Sequence, residues 1–438
     1  MTVLCLAGGV GAASAALPGR NSIVQTFRDV VGLDRTQSAA LLGGVCCGGV
    51  AALALLGWAA GRQRLLAGLL HVGVVAVFSL LLLKEVLSPY LANPDQTSSP
   101  SALVERPVVL GFKIEEVAKL SIMPTCLAVG PDEELYVAGY AGIAYRNGVI
   151  HRLHQSAQSG PLEEIRVADS LNRPHGLAFY KGDLYVSRAG QYTRAEKGRI
   201  VEIDTGSVTR LRDLDGDGVY DNYTDVVTGL PGAQNPDGLH QNNGITFSRD
   251  FLYVTVGTPS DHGPPNHRYA GTIVRARPDG SELAIFAQGL RNPFGIAVGP
   301  GEQVFCTDND ADFTNPGDAL YHVVEGDHFG HPYNAVSKSI TVAGAKAPLL
   351  RSRSALEGLA YAPPGSLPLG YDDCLYVAAY GDGHLKRVRL RQEGQGYSTE
   401  MDFFAKIPGV LGVAVSPKER AIYACSHENK KIYRITPE

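Results

Sequence analysis

From residue 111 onward one pattern returns six times, and it constrains this chain more than anything else in it. The copies are Cys126-Leu-Ala-Val-Gly-Pro-Asp-Glu-Glu-Leu-Tyr-Val-Ala, His175-Gly-Leu-Ala-Phe-Tyr-Lys-Gly-Asp-Leu-Tyr-Val-Ser and Gly244-Ile-Thr-Phe-Ser-Arg-Asp-Phe-Leu-Tyr-Val-Thr. Gly295-Ile-Ala-Val-Gly-Pro-Gly-Glu-Gln-Val-Phe-Cys is the fourth. Glu357-Gly-Leu-Ala-Tyr opens the fifth, which resumes after an insertion at Cys374-Leu-Tyr-Val-Ala, and Gly412-Val-Ala-Val-Ser-Pro-Lys-Glu-Arg-Ala-Ile-Tyr-Ala is the sixth. Each is a short β-rich run, a turn and a second β-rich run, at a period of about fifty residues, which is the signature of a propeller blade. Six copies predict an all-β, six-bladed β-propeller over residues 111–438. A β-sandwich, or a seven-bladed ring with one degenerate copy, is the competing arrangement. The 51 glycines suit a protein with many hairpins.

Further strand candidates lie between the copies: Arg199-Ile-Val-Glu-Ile, Thr272-Ile-Val-Arg-Ala, Leu385-Lys-Arg-Val-Arg-Leu and Lys431-Ile-Tyr-Arg-Ile. Cys126, Cys306, Cys374 and Cys425 fall in four different copies, so they read as buried thiols and not as a disulfide framework. No Cys-x-x-Cys-His is present, so no covalent c-type haem is encoded, and electrons would leave through another protein or a diffusible acceptor. With net charge −5 and no basic patch, nucleic acid is not an expected partner.

The amino-terminal part has a different character. Ser38 to Ala60 and Leu65 to Leu83 carry no charge, and Gly61-Arg62-Gln63-Arg64 separates them. Each run is long enough to cross a bilayer, so residues 38–87 read as a transmembrane α-helical hairpin. Gly44 and Gly48 have the spacing that lets two such helices approach closely, with Cys46 and Cys47 as small interface residues. Residues 1–37 read as a poor signal segment or a weak third span. Residues 88–110, rich in Pro, Ser, Asn and Asp, read as a linker. Arg62 and Arg64 favour the tight turn inside and the propeller outside, whereas Arg20, Arg28, Arg35 and Lys84 argue the reverse.

The densest set of polar residues at strand starts runs from Pro236 to Tyr333. It contains Asp237-Gly-Leu-His240-Gln-Asn-Asn-Gly, Gly289-Leu-Arg291-Asn292-Pro-Phe-Gly295, Thr307-Asp308-Asn309-Asp310, Pro316-Gly-Asp318 and Gly326-Asp-His-Phe329-Gly330-His-Pro332. This order of motifs resembles the soluble glucose and sorbosone dehydrogenase family, across roughly residues 111–437. The resemblance implies a six-bladed propeller that uses pyrroloquinoline quinone and calcium to oxidise a sugar or other alcohol. It also implies an exported, periplasmic location, here on a membrane anchor.

Carried over by the resemblance, His240 is the catalytic base and Arg291 the cation that meets the quinone carbonyl, with Asn292 beside it. These are the roles that hydride removal from an alcohol requires: a base for the hydroxyl proton and a positive group where the acceptor gains charge. His240 and Arg291 stand at matching points of the third and fourth copies, so both should meet one axial pocket. In the family a carboxylate after the glycine of the following strand orients the histidine. Here Thr258 follows Gly257, leaving Asp237 or Asp261 as possible substitutes. Asp310, Ala311 and Asp318 align with the family's calcium loop, and Phe329 takes a tyrosine position at the cofactor. His322, His328 and His331, although close in sequence, make a poor zinc set.

A second metal motif stands on its own residues. Asp213-Leu-Asp215-Gly-Asp217-Gly218-Val219-Tyr-Asp221 places carboxylates at alternate positions with a glycine at the sixth, like the first half of an EF-hand loop. Asp213, Asp215, Asp217 and Asp221, with the carbonyl of Val219, should gather round calcium. Thr224 holds the twelfth position, so the bidentate glutamate is missing.

The cofactor fits less well. The family grips the quinone's three carboxylates with a lysine in the fifth blade and two arginines in the sixth. Those positions fall near Gly381, Gly409 and Leu411, with Lys386 and Arg387 a few residues on. Three carboxylates without cationic partners bind poorly. Lys386 is the candidate cofactor ligand that remains. A non-catalytic, membrane-tethered propeller serving as a binding or assembly subunit is the alternative reading. A calcium-dependent lactonase is a third, but the repeats do not supply its ring of Glu and Asn.

Overall fold

The computed structural model describes residues 107–141, 148–155, 160–189, 195–196, 199–200, 206–232, 240–260, 265, 267–310, 317–332 and 342–438. The predicted hairpin at 38–87 lies outside them, as do Asp237, Asp261 and Ala311. Among the described residues no helix is long and apolar enough to cross a membrane.

Six four-stranded antiparallel sheets form a six-bladed propeller. Their inner strands are Met123–Val129, Pro174–Tyr180, Asn242–Ser248, Pro293–Val298, Leu356–Ala362 and Val410–Ser416, here blades 1 to 6. Successive inner strands pack side by side, and that of blade 6 returns to that of blade 1. Closure uses a strand from the other end of the propeller sequence. Phe112–Lys119 pairs with Lys431–Pro437 and becomes the outermost strand of blade 6. The repeats alone placed the first blade correctly but gave no sign of this strand's destination. Residues 107–110, read from composition as linker, are also held by the ring: Lys406 N donates to Pro107 O (2.7 Å) and Val109 N to Phe404 O (3.0 Å).

Of the strand candidates, Arg199–Ile200 pairs with Ala195–Glu196, the rest of that run lies outside the described residues, and the third strand of blade 2 is Gly206–Arg212. The other three strand candidates are third strands of blades 3, 5 and 6. Cys126, Cys306, Cys374 and Cys425 are free thiols in blades 1, 4, 5 and 6.

The repeated glycine explains how the inner strands approach. A Cβ on Gly244 would lie 2.5 Å from the carbonyl oxygen of Phe294 in the next blade, and one on Gly295 would lie 2.4 Å from that of Glu357. Backbone cannot yield that space, so only glycine fits. Threonines of the second strands tie the same seams. Thr255 Oγ1 donates to Phe294 O (3.2 Å) and Thr307 Oγ1 to Glu357 O (2.6 Å). Between blades the sheets bury Val, Leu, Ile and Tyr, as in the cluster of Val254, Val256 and Val274 with Tyr185 and Val208. Each fully buried side chain of this kind contributes about 1.5–3 kcal/mol.

Because the strands alternate in direction, the starts of all inner strands lie at one end of the ring. The hairpins joining third to fourth strands lie at the other.

Candidate active site at the inner-strand starts

Four of the six blades make the same backbone joint where the inner strand begins. Gly257 N donates to Gln241 O, Asn309 N to Asn292 O, Tyr380 N to Ala355 O and His427 N to Gly409 O, at 2.8–3.1 Å. Counted back four residues from the seam glycine, His240 and Arg291 are therefore equivalent positions, and Ser354 is their counterpart in blade 5.

Both His240 and Arg291 are buried, 7% and 4% exposed. Residue Thr258 links them: its carbonyl accepts a hydrogen bond from His240 Nδ1 (3.0 Å), and its N–H donates to Arg291 O (2.8 Å). A carbonyl oxygen only accepts, so Nδ1 carries the proton, and a neutral imidazole then presents Nε2 as its basic nitrogen. The position that holds an orienting carboxylate in the resembled family thus orients the histidine here through its backbone.

Asp308 sets the Arg-Asn pair. Its carboxyl accepts the backbone N–H of Asn292 (2.9 Å) and of Arg291 (3.2 Å). Burial, reinforced by the charge of Asp310, holds this carboxyl well above the usual range. Arg291 Nη1 donates to Asn309 O (2.9 Å), and Asn309 Nδ2 donates to Glu357 Oε1 (3.0 Å). Burial pushes Glu357 up to about 8, against the Asn309 hydrogen bond, with Asp318 adding to the rise.

A second chain of bonds crosses the same level. Asn243 Nδ2 donates to Asn292 Oδ1 (3.1 Å) and Pro293 O (2.9 Å), so its oxygen is the acceptor for His175 Nδ1 (3.2 Å). His175 Nε2 then accepts from the Tyr140 hydroxyl. Burial depresses the basicity of His175 to about 3, so the ring is neutral. This series fixes Asn292 with its oxygen turned to Asn243 and its amide N–H₂ as the group it offers a ligand.

The other expected residues divide. Asp310 and Asp318 do meet: Asp310 N donates to Asp318 Oδ1 (3.1 Å), and both are buried. Arg351 Nη1 stands 3.5 Å from Asp310 Oδ2, and His331 Nδ1 stands 3.7 Å from Oδ1. Phe329 does not join this constellation in the described contacts. Its ring packs in the apolar core between blades 3 and 4, 4.2 Å from that of Tyr321. Lys386 is drawn inward, its ammonium donating to Ser354 Oγ (3.0 Å), but Asp382 holds it at 2.7 Å. Arg387 turns outward to Asp402 (2.6 Å) and over the Tyr371 ring.

At the opposite end, Asp213, Asp215 and Asp217 bring carboxylate oxygens within 4.8 Å of one another. Gly216 N and Gly218 N donate to Asp213 (2.7 and 2.8 Å), which hold its carboxyl below the ordinary value. Val219 N bonds Asp217 Oδ1 (2.8 Å), and Asp221 accepts from Leu214 N (3.1 Å), so it closes the loop without joining the three-carboxylate group.

The chain matches no protein-family model, and no curated protein matches it in sequence. Solved structures do match. A putative oxidoreductase (glucose dehydrogenase) from Thermus thermophilus is 23% identical, with TM-score 0.57 over 74% of this chain and all of that one. The pyrroloquinoline quinone-bound aldose sugar dehydrogenase of Streptomyces coelicolor is 19% identical (TM-score 0.57, 76% and 100% covered). The quinone domain of a Coprinopsis cinerea pyranose dehydrogenase is 15% identical (TM-score 0.57, 75% and 96%). At such identities the likeness establishes the six-bladed fold that these sugar dehydrogenases share, and fold alone does not carry activity.

Thr258, Asp308, Asn309, Glu357, His175 and Asn243 are the site residues that sequence reasoning missed as such. His175, Asn243 and Glu357 carried one available signal: each directly precedes the seam glycine of its repeat.

Proposed function

We propose that this propeller binds a sugar or other alcohol and oxidises one of its hydroxyl groups, with His240 as the base. The observation that carries this reading is the hydrogen bond from His240 Nδ1 to Thr258 O, which fixes the tautomer and leaves Nε2 as the basic nitrogen. His240 Nε2 takes the hydroxyl proton while hydride leaves the same carbon for an acceptor. Arg291 and the amide of Asn292 supply N–H donors where an acceptor carbonyl gains negative charge. Asp308 holds that pair in place through the backbone.

Pyrroloquinoline quinone is the cofactor suggested by the similar structures, and the blade 5–6 side does not fit its three carboxylates. Gly381, Gly409 and Leu411 stand where cations are needed. Glu428 instead leans over Gly409, whose added Cβ would lie 3.3 Å from that of Glu428. Lys386 is already engaged by Asp382. A carbonyl acceptor without that charge is better matched to Arg291 and Asn292. Calcium suits the Asp213 loop, where three carboxylates converge on a tight turn. The Asp310–Asp318 pair already has a countercharge in Arg351.

The missing cations also favour the second reading, a tethered propeller without catalysis. Dye-linked oxidation of a sugar and polyol panel, with pyrroloquinoline quinone and with simpler quinones, separates the two. Activity that His240→Ala lowers about 10²–10⁴-fold supports the enzyme. No oxidation with any pairing leaves the scaffold. The uncharged runs at 38–60 and 65–83 make a bilayer tether, with the propeller outside the cytoplasm, part of the proposal. The full chain should stay with membranes through alkaline carbonate washing, and release into the supernatant would refute the tether.

A further inference from the structure

The half of the mouth formed by blades 5 and 6 has a different chemistry from the His240–Arg291 half. Tyr380 and His427 occupy the places that Gly257 and Asn309 hold in blades 3 and 4, as the shared backbone joint shows. Tyr380 is half-buried, and its hydroxyl donates to Glu428 Oε1 (2.6 Å) across the seam between blades 5 and 6. The Glu428 stem lies against Gly409, with Cβ and Cγ 3.3–3.4 Å from where a side chain would begin, while the residue itself is exposed. Beside them Gly381 N donates to Ser354 O (2.7 Å), and Ser354 Oγ accepts from Lys386. Asp382 closes this arc on Lys386 at 2.7 Å.

An ionised carboxylate accepts about four hydrogen bonds, and the tyrosine bond to Glu428 uses one. A carboxylate beside a half-buried aromatic ring is the pairing that receives a polyhydroxy compound: hydroxyls donate to the oxygens, and the ring covers C–H surface. The same carboxylate repels an anion, and the cation of this arc, Lys386, is 7% exposed and already salt-bridged. We propose that Tyr380 and Glu428 form a recognition subsite for a neutral, hydroxyl-rich ligand, a sugar, and that this subsite excludes polyanions. The inference rests on the reading of the site as one for sugars and alcohols. It adds which residues choose the ligand and what they refuse.

Ligand-observed NMR on the full chain in detergent tests it, with glucose, galactose, xylose and sorbitol as probes and pyrroloquinoline quinone with calcium as the polyanion. At least one probe should bind the wild type, and His240→Ala should bind it within a few-fold, because that change removes chemistry and leaves the subsite. Glu428→Gln, which keeps the shape, should weaken binding about tenfold or more, the scale of a hydrogen bond to a charged group. Glu428→Lys should lose the sugar and gain affinity for the quinone tricarboxylate, which the wild type does not take up. Circular dichroism spectra matching the wild type show that each variant is folded. Sugar binding unchanged by Glu428→Gln, tight quinone binding by the wild type, or no binding of any probe would each overturn the subsite. Sugar that binds through Glu428 yet is never oxidised would sink the proposed activity and leave the subsite standing. Oxidation with KM unmoved by Glu428→Gln would do the opposite.

Discussion

The two ends of this propeller hold their acidic groups in opposite ways. At the inner-strand starts, Asp308 and Glu357 are buried and fixed by neighbours from other strands: Asp308 by the backbone of Arg291 and Asn292, Glu357 by Asn309. At the far end, Asp213, Asp215 and Asp217 are exposed and fixed by the N–H groups of their own turn. The Asp308 bonds lie within blade 4, whereas the Glu357 bond exists only when blades 4 and 5 have packed together. The far-end arrangement needs little more than one hairpin. Burial raises the carboxyls of the first set, and backbone donors lower Asp213 in the second, so the same side-chain chemistry is turned toward the protonated form at one end and the ionised form at the other.

The comparison breaks most visibly at the seams. Gly295→Ala places a methyl 2.4 Å from Glu357 O and 2.7 Å from Leu359 N, so blades 4 and 5 must part. A loss of about 3 kcal/mol in unfolding free energy is expected, with the site disturbed and the Asp213 loop intact. Urea unfolding measures the first, and calcium binding checks the second. A variant as stable as the wild type would contradict the packing described here.

A smaller effect sharpens the electrostatic half. Glu357 binds its proton more tightly folded than unfolded, up to about 8 against an ordinary value of 4.5. Its contribution is fully present below the unfolded value and is lost as pH rises toward 8, because the unfolded chain ionises first. Glu357→Gln keeps an acceptor for Asn309 and removes the charge. Between pH 5 and 8 its melting temperature should fall less than that of the wild type, by the equivalent of a few kcal/mol at most. Parallel pH–stability curves would remove the buried-acid account.

The smallest change belongs to the exposed end. Asp215→Ala should leave calcium-free stability within about 0.5 kcal/mol, as expected for a surface position. It should abolish the melting-temperature rise that calcium gives the wild type, and calorimetry should count one site fewer. An unaltered calcium response would mean that this turn is only a solvated acidic loop.

What the sequence made legible follows the same division. The six copies and the matching places of His240 and Arg291 were visible because a repeat carries its register with it. The Asp213 turn was visible because its carboxylates are neighbours in the chain. Thr258 was hidden: a backbone carbonyl acts the same way from any residue, so no side chain marks it. Glu357 stood in plain view before its glycine, but nothing local says that a glutamate there is buried against Asn309. Phe329 was placed by the resemblance, at a tyrosine position of the family, and its ring packs in the core between blades 3 and 4. In blade 2 the run from Arg199 reads like a strand, and Arg199–Ile200 is one, but local pattern does not say that Gly206–Arg212 makes the pairing with Asp183–Arg188.

Vectorial synthesis gives the pairing of Phe112–Lys119 with Lys431–Pro437 a further meaning. The segment that completes blade 6 leaves the ribosome before any inner strand does, yet its partner is made only after all six inner strands. At about 5–20 residues per second, it waits on the order of tens of seconds with its edge unsatisfied. During that interval a half-built ring presents an open strand edge at each end, and a second nascent chain offers the same Lys431–Pro437 edge to it. Exchange of that one strand between two chains is therefore the error to which this protein's assembly is most exposed.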